Sequence, residues 1–107
     1  MLNRDALRDI GGDDPDFIRE LLETFIQTTR IDIEQLLQAV RTGNGHTTAS
    51  LAHRIKGASQ LVGASTLASI ADTIERLSRQ DPAADCTQLS QEIQTAFHNI
   101  LTSMTPD

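Results

Sequence analysis

The stretch LAHRIKGASQLVGASTLASIADTIE, Leu51 to Glu75, holds two runs of helical apolar spacing separated by a glycine. At about 100° per residue, Leu51, Ile55, Ala58 and Val62 fall on one stripe, while His53, Lys56, Gly57 and Gln60 gather roughly opposite. Gly63 closes the first run. Leu67, Ile70, Ala71, Ile74 and Leu77 then follow at the offsets of one buried face. The spacing predicts a helix from about His46 or Thr47 to Val62 and another from about Ser65 to Arg79.

Working outward, Asp14 is suited to cap a helix and Pro15 to occupy its first position. The stripe Phe17, Leu21, Leu22, Phe25, Ile26, Ile33, Leu36, Leu37 and Val40 carries that helix to Arg41, where Gly43, Asn44 and Gly45 end it. At 1.5 Å per residue it would be about 40 Å long. Asp81 and Pro82 repeat the cap-plus-proline signal, and a last helix to about Ser103 buries Leu89, Ile93, Ala96, Phe97, Ile100 and Leu101. A short leading helix is expected from Asn3 to Ile10, stopped by Gly11 and Gly12. No segment alternates as a strand does. These readings predict an all-α fold, an antiparallel up-and-down four-helix bundle with a short extra N-terminal helix covering one end. The chain is expected to be a single domain over 1–107, with its bundle core at about 14–103.

Composition narrows the function. The chain has 107 residues, enough for one core, and a formal charge of -6, with nine Lys and Arg against fifteen Asp and Glu. No basic face is available for nucleic acid, and with no Trp or Tyr there is no platform for stacked bases. The single Cys86 excludes an internal disulfide and reads as a small, partly buried residue. No run approaches the roughly 18 apolar residues of a membrane span, and the start MLNRDALRD lacks the pattern of a signal peptide. The chain is expected to be a cytoplasmic monomer without direct membrane contact. No metal site is expected: none of Glu20, Glu23, Glu34, Glu75 or Glu92 is followed three residues later by His, and His46 and His53 lie about 10 Å apart along a helix. His46 reads as a helix-start residue and His98 as a solvated one. No Gly-rich loop for a nucleotide is present, so no cofactor is expected on this chain.

The face opposite the stripe is where chemistry is expected. His53 turned to water is a nucleophile near neutral pH, Lys56 one turn on attracts phosphoryl oxygens, and Gln60 is a polar neighbour. Gly57 costs about 1 kcal/mol relative to Ala in an exposed helix interior. Either it keeps the approach to His53 open, or it permits close packing of two helices.

From Phe17 to about Leu101 the chain resembles the histidine phosphotransfer (HPt) domain family. The carriers are the pair Ala52 and His53, apolar Ile55, then Lys56 and Gly57, small Ser59, the turn Gly63 and Ala64, and a helix with Leu67, Ala71, Ile74 and Glu75. The resemblance implies that His53 is the phospho-acceptor, that Lys56 compensates charge and that Gly57 keeps the approach open. It implies a relay rather than an enzyme with its own ATP site: a phosphoryl group arrives from a receiver-domain phospho-aspartate and passes to another receiver, which brings the Mg²⁺. A free-standing phosphotransfer protein and the C-terminal domain of a hybrid sensor kinase are the leading contexts, and the tail LTSMTPD favours the second. The chain departs from the family pattern in the two glycines of RTGNGH, Arg41 to His46; Arg54 adds a second positive charge beside His53. A sensor-kinase dimerisation helix would have Glu or Asp after the histidine and soon a proline, unlike Arg54 and the proline-free run to Pro82. The N-terminal domain of a chemotaxis kinase shares the fold and part of the motif. The alternative reading is a non-catalytic docking or adaptor bundle for receiver domains, with His53 incidental; Lys56 and Gly57 beside it count against that.

Overall fold

Asp14 opens the first helix as its sequence predicts: its carboxylate accepts the N–H groups of Asp16 and Phe17 at 3.0 and 3.4 Å, and Pro15 fills the first position, where no intrahelical N–H bond is needed. In the computed structural model, which describes Arg8, Gly12 and residues 14–104, four helices follow one another: α1 (Pro15–Arg41), α2 (Gly45–Leu61), α3 (Ser65–Gln80) and α4 (Thr87–Met104). Each packs on its chain neighbour, and α4 returns to α1, closing an antiparallel up-and-down bundle. The expected leading helix, Asn3 to Ile10, lies outside the described residues except for Arg8. Among the described residues no helix is long and apolar enough to cross a membrane.

The first two connections are built alike. Gly43 and Gly63 adopt φ of 71° and 74°, a left-handed conformation that costs other residues a Cβ clash. The next N–H then reaches back five residues, Asn44 to the Ala39 carbonyl at 2.9 Å and Ala64 to the Ser59 carbonyl at 2.8 Å. Three-residue turns of this kind force neighbouring helices to run antiparallel with little freedom of register. Asn44 also accepts the Thr47 N–H at 3.1 Å, so α2 begins at Gly45, slightly earlier than its apolar spacing suggests.

The third connection departs from expectation. Asp81 and Pro82 form a turn, not a helix start: the Asp81 carboxylate accepts the Ala83 N–H at 3.0 Å, its carbonyl accepts the Ala84 N–H at 2.9 Å, and the helix waits until Thr87. Asp-Pro suits the first two positions of a type I turn as well as a helix entrance, so the dipeptide alone does not decide. Asp85 accepts the Thr87 N–H at 2.9 Å, and Cys86 is fully rather than partly buried, its Sγ 3.6 Å from Ser78 Oγ.

Leu36, Ile55, Leu67, Ile74 and Ile93 are almost completely buried at the centre, with Phe25 and Phe97 packed edge to face at 6.5 Å. Two residues expected inside are outside. Phe17, 43% exposed, lies on the first turns of α1, which has 27 residues against 17 in α2 and overhangs it; Leu77, 38% exposed, loses the inward slots to Ile74 and Ser78. Gly45 is not a helix terminator. A Cβ there would lie 2.5 Å from Pro82 Cα and closer still to the Pro82 carbonyl oxygen, so the start of α2 rests directly on the backbone of the third connection.

This contact yields a stability prediction. Gly45→Ala must push two backbone segments apart and should destabilise the bundle by about 1 to 3 kcal/mol, read by chemical denaturation. An unchanged midpoint would mean that the two connections are not in rigid contact.

Candidate functional site

Along α2 the residues Ala49, Ala52, Lys56 and Ser59 recur at intervals of three and four, and along α3 the same pattern returns as Ala68, Ala71, Glu75 and Ser78. All are buried except Lys56, whose side chain is 22% exposed. Small side chains let the two helices approach closely, and each line carries one long charged residue at its third place. Lys56 Nζ and Glu75 Oε1 meet at 2.7 Å across the seam.

His53 sits beside this pair. Its ring is 63% exposed, and Nδ1 lies 2.9 Å from Glu75 Oε2. The same oxygen accepts Arg79 Nε–H at 3.0 Å and lies 3.0 Å from Arg79 Nη2, one turn along α3. Lys56 also reaches Asp72 Oδ1 at 3.4 Å, and Arg76 holds Asp72 Oδ2 at 3.0 Å. Burial by itself would push the Glu75 carboxyl up, but the ion pair with Lys56 and the hydrogen bonds from Arg79 and His53 outweigh it and hold it down at about 2. Lys56 is raised, first by its bond to Glu75, and Asp72 is lowered, first by its bond to Arg76.

An ionised Glu75 has no proton to give, so the hydrogen between it and His53 belongs to Nδ1. In the neutral ring the lone pair is then on Nε2, the nitrogen turned away from the carboxylate. A ring held at one nitrogen and open at the other can attack an electrophile through Nε2. Positive charge developing on the ring as it does so is met by Glu75.

The four residues singled out from sequence do not all share one face. His53, Gly57 and Gln60 are exposed on the outer side of α2. Lys56 instead leans towards α3 and is engaged by two carboxylates, so it does not stand free in solvent beside the histidine. A Cβ on Gly57 would meet nothing within 4 Å, so close packing among the four described helices is not the reason for that glycine. Arg54 turns to the other flank, where it pairs at 3.2 Å with Asp32 of α1, a carboxylate raised by burial against the opposing pull of Arg54. His46 and His98 are exposed and apart from the cluster, and among the described residues no group of three or more His, Cys, Asp or Glu is placed to hold a metal ion.

Sequence reasoning gave Arg79 no place at the site, and it named Glu75 as a position of the family resemblance without giving it a role there. The signal was present: counting ten residues each way from Gly63 pairs His53 with Thr73, which brings Glu75 within a turn of the histidine.

A family model described as Hpt domain matches residues 20–103. Among solved structures the chain is similar to the HPT domain of the Hpt sensor hybrid histidine kinase from Shewanella, with a TM-score of 0.69 and 20% identity, covering 98% of this chain and 97% of that one. No curated protein matches.

Two outcomes are expected from this geometry. Glu75 titrates lower in the folded chain than its ordinary value of 4.5, so the stability it contributes is complete above that value and drains away as pH falls towards about 2. Because His53 and Arg79 are solvent-exposed, the loss should be on the order of 1 to 2 kcal/mol, and Glu75→Gln should lack it; parallel acid titrations of the two proteins by denaturation give the difference. Gly57→Ala, with room for its methyl group, should stabilise the bundle by up to about 1 kcal/mol through helix propensity, the opposite sign to Gly45→Ala in the same assay.

Proposed function

The chain belongs to the Hpt domain family, the phosphotransfer modules of two-component signalling, and from that premise we propose that His53 accepts a phosphoryl group from one receiver domain and relays it to another. The observation that carries this reading is the asymmetric holding of the ring, Nδ1 bound to Glu75 at 2.9 Å and the rest of the imidazole 63% exposed. The Nε2 lone pair attacks the phosphorus of the receiver's phospho-aspartate. An N–P bond forms, the aspartyl O–P bond breaks, and the aspartate leaves as carboxylate with the electron pair. Nδ1 keeps its hydrogen, and the charge that appears on the ring is faced by the Glu75 carboxylate. The return step reverses the same bonds with the carboxylate of a second receiver as nucleophile.

In this reading Lys56 acts mainly through Glu75, offsetting a negative charge that would otherwise repel an incoming phosphoryl group. Gly57 leaves room for the partner to approach the ring, and Gln60 lies one turn beyond it on the exposed side. The receiver is proposed to bring Mg²⁺, and rigid placement of His53 supplies orientation. The chain would not phosphorylate itself. Its parent is proposed to be a cytoplasmic phosphotransfer protein or a hybrid sensor kinase carrying this domain at its C-terminal end.

The deciding experiment mixes the chain with phosphorylated receivers and looks for acid-labile, base-stable label. His53→Gln should take up none while its thermal unfolding stays nearly unchanged, because the exposed ring contributes little packing; label retained in that variant, or found on His46 or His98, would overturn the assignment. Lys56→Ala should slow transfer without stopping it and also lower stability, read by chemical denaturation, since it leaves buried Glu75 Oε1 without its cation. Gly57→Leu should weaken transfer at unchanged or improved stability.

A further inference from the structure

We propose that Arg79 is a positioning residue for His53, acting through Glu75; the proposal rests on the reading of His53 as the phospho-acceptor. Glu75 Oε2 lies 2.9 Å from His53 Nδ1 and 3.0 Å from both Nε and Nη2 of Arg79, so the guanidinium fork and the imidazole converge on the same acceptor. The other oxygen is taken by Lys56 Nζ at 2.7 Å. The last torsion of a glutamate is soft, and a carboxylate held by a lysine alone can rotate or offer both oxygens to that cation. Arg79 prevents this: its planar fork, one turn further along the same helix, fixes where Oε2 points. With Oε2 fixed, the ring has one favoured orientation, Nδ1–H inward and the Nε2 lone pair outward.

Charge points the same way. Lys56, Arg76 and Arg79 against Asp72 and Glu75 leave the cluster with one surplus positive charge, and removing Arg79 would bring it to neutrality beside the site where an anionic phosphoryl group must arrive. Arg79 itself is 56% exposed and lies on α3, not on the helix that carries the histidine, so its guanidinium can be removed with little effect on the core.

The test uses Arg79→Met, which keeps the apolar stem and removes every donor, and Arg79→Lys, which restores a cation without the fork. Nitrogen-15 NMR of the unphosphorylated chain at alkaline pH reads which His53 nitrogen carries the hydrogen. The wild-type chain should show the Nδ1–H form in large excess. In Arg79→Met that excess should fall by about three- to tenfold, the scale of one weakened hydrogen bond, with partial recovery in Arg79→Lys. Labelling of His53 by phosphoramidate, a small phosphoryl donor, should slow by a similar factor while the backbone spectrum stays that of the folded bundle. A wild-type tautomer ratio in Arg79→Met overturns the proposal, and if that variant does not fold, a wild-type ratio together with wild-type labelling in Arg79→Lys overturns the need for the fork. Should the tautomer shift as expected while the wild-type chain takes no label from phosphorylated receivers, the positioning by Arg79 stands and the acceptor reading of His53 fails.

Discussion

The close approach of α2 to α3 governs the surroundings of His53, because it places a carboxylate from one helix between the side chains of the other. Ala49, Ala52 and Ser59 on α2 and Ala68, Ala71 and Ser78 on α3 are buried and small, and they bring the two helices together at the level where Lys56 and Glu75 project. Larger residues along either line would widen the seam, and Glu75 would then need to stretch outward to meet its partners. The turn at Gly63 sets the register, so packing and turn geometry together decide which residues meet.

A carboxylate only 9% exposed is costly unless it is charged and fully engaged. Here the engagement comes from three directions: Lys56 across the seam, Arg79 along the helix and His53 at the rim. Each contact offsets part of the burial cost, and one of them also restrains an otherwise free surface imidazole. The interaction that gives Glu75 a donor is thus the same one that orders the His53 ring. The Arg54 and Asp32 pair shows the plainer case, a buried carboxylate at the α1 and α2 seam with one cation and no ring.

Much of the fold could be read from local sequence because its signals are local. Asp14 with Pro15, and the glycines at 43 and 63, act within a few residues of themselves, and the structure uses them at those places. Where the same residue serves two purposes, reading failed: Asp81 and Pro82 belong to a turn, and Gly45 belongs to a close contact with a segment 37 residues away. Phe17 and Leu77 keep helical spacing but lie outside, since periodicity reports the face of a helix and not whether a neighbour reaches it. At the candidate site the exposed side of α2 was legible from its wheel, with His53, Gly57 and Gln60 outward. Glu75 and Arg79 were not, because nothing in their own neighbourhood distinguishes a charge that faces water from one that faces another helix. Register arithmetic recovers both seams: Arg54 and Asp32 lie eleven residues either side of Gly43, as His53 and Thr73 lie ten either side of Gly63.

The two helical glycines, Gly45 and Gly57, show how function can be separated from packing in such a bundle. Gly57 carries the propensity cost of glycine in a helix interior, whereas Gly45 stands at the first position of its helix. At Gly45 the glycine has an internal cause, since a Cβ would collide with the Pro82 backbone. At Gly57 none of the described residues occupies the space a side chain would fill, and the backbone there is ordinary helix. No contact among the described residues requires glycine there, and the position lies four residues from an imidazole held at Nδ1 by Glu75. On the proposed reading, the open side of α2 is where a receiver domain would approach, and the orientation of His53 would decide which atom it meets.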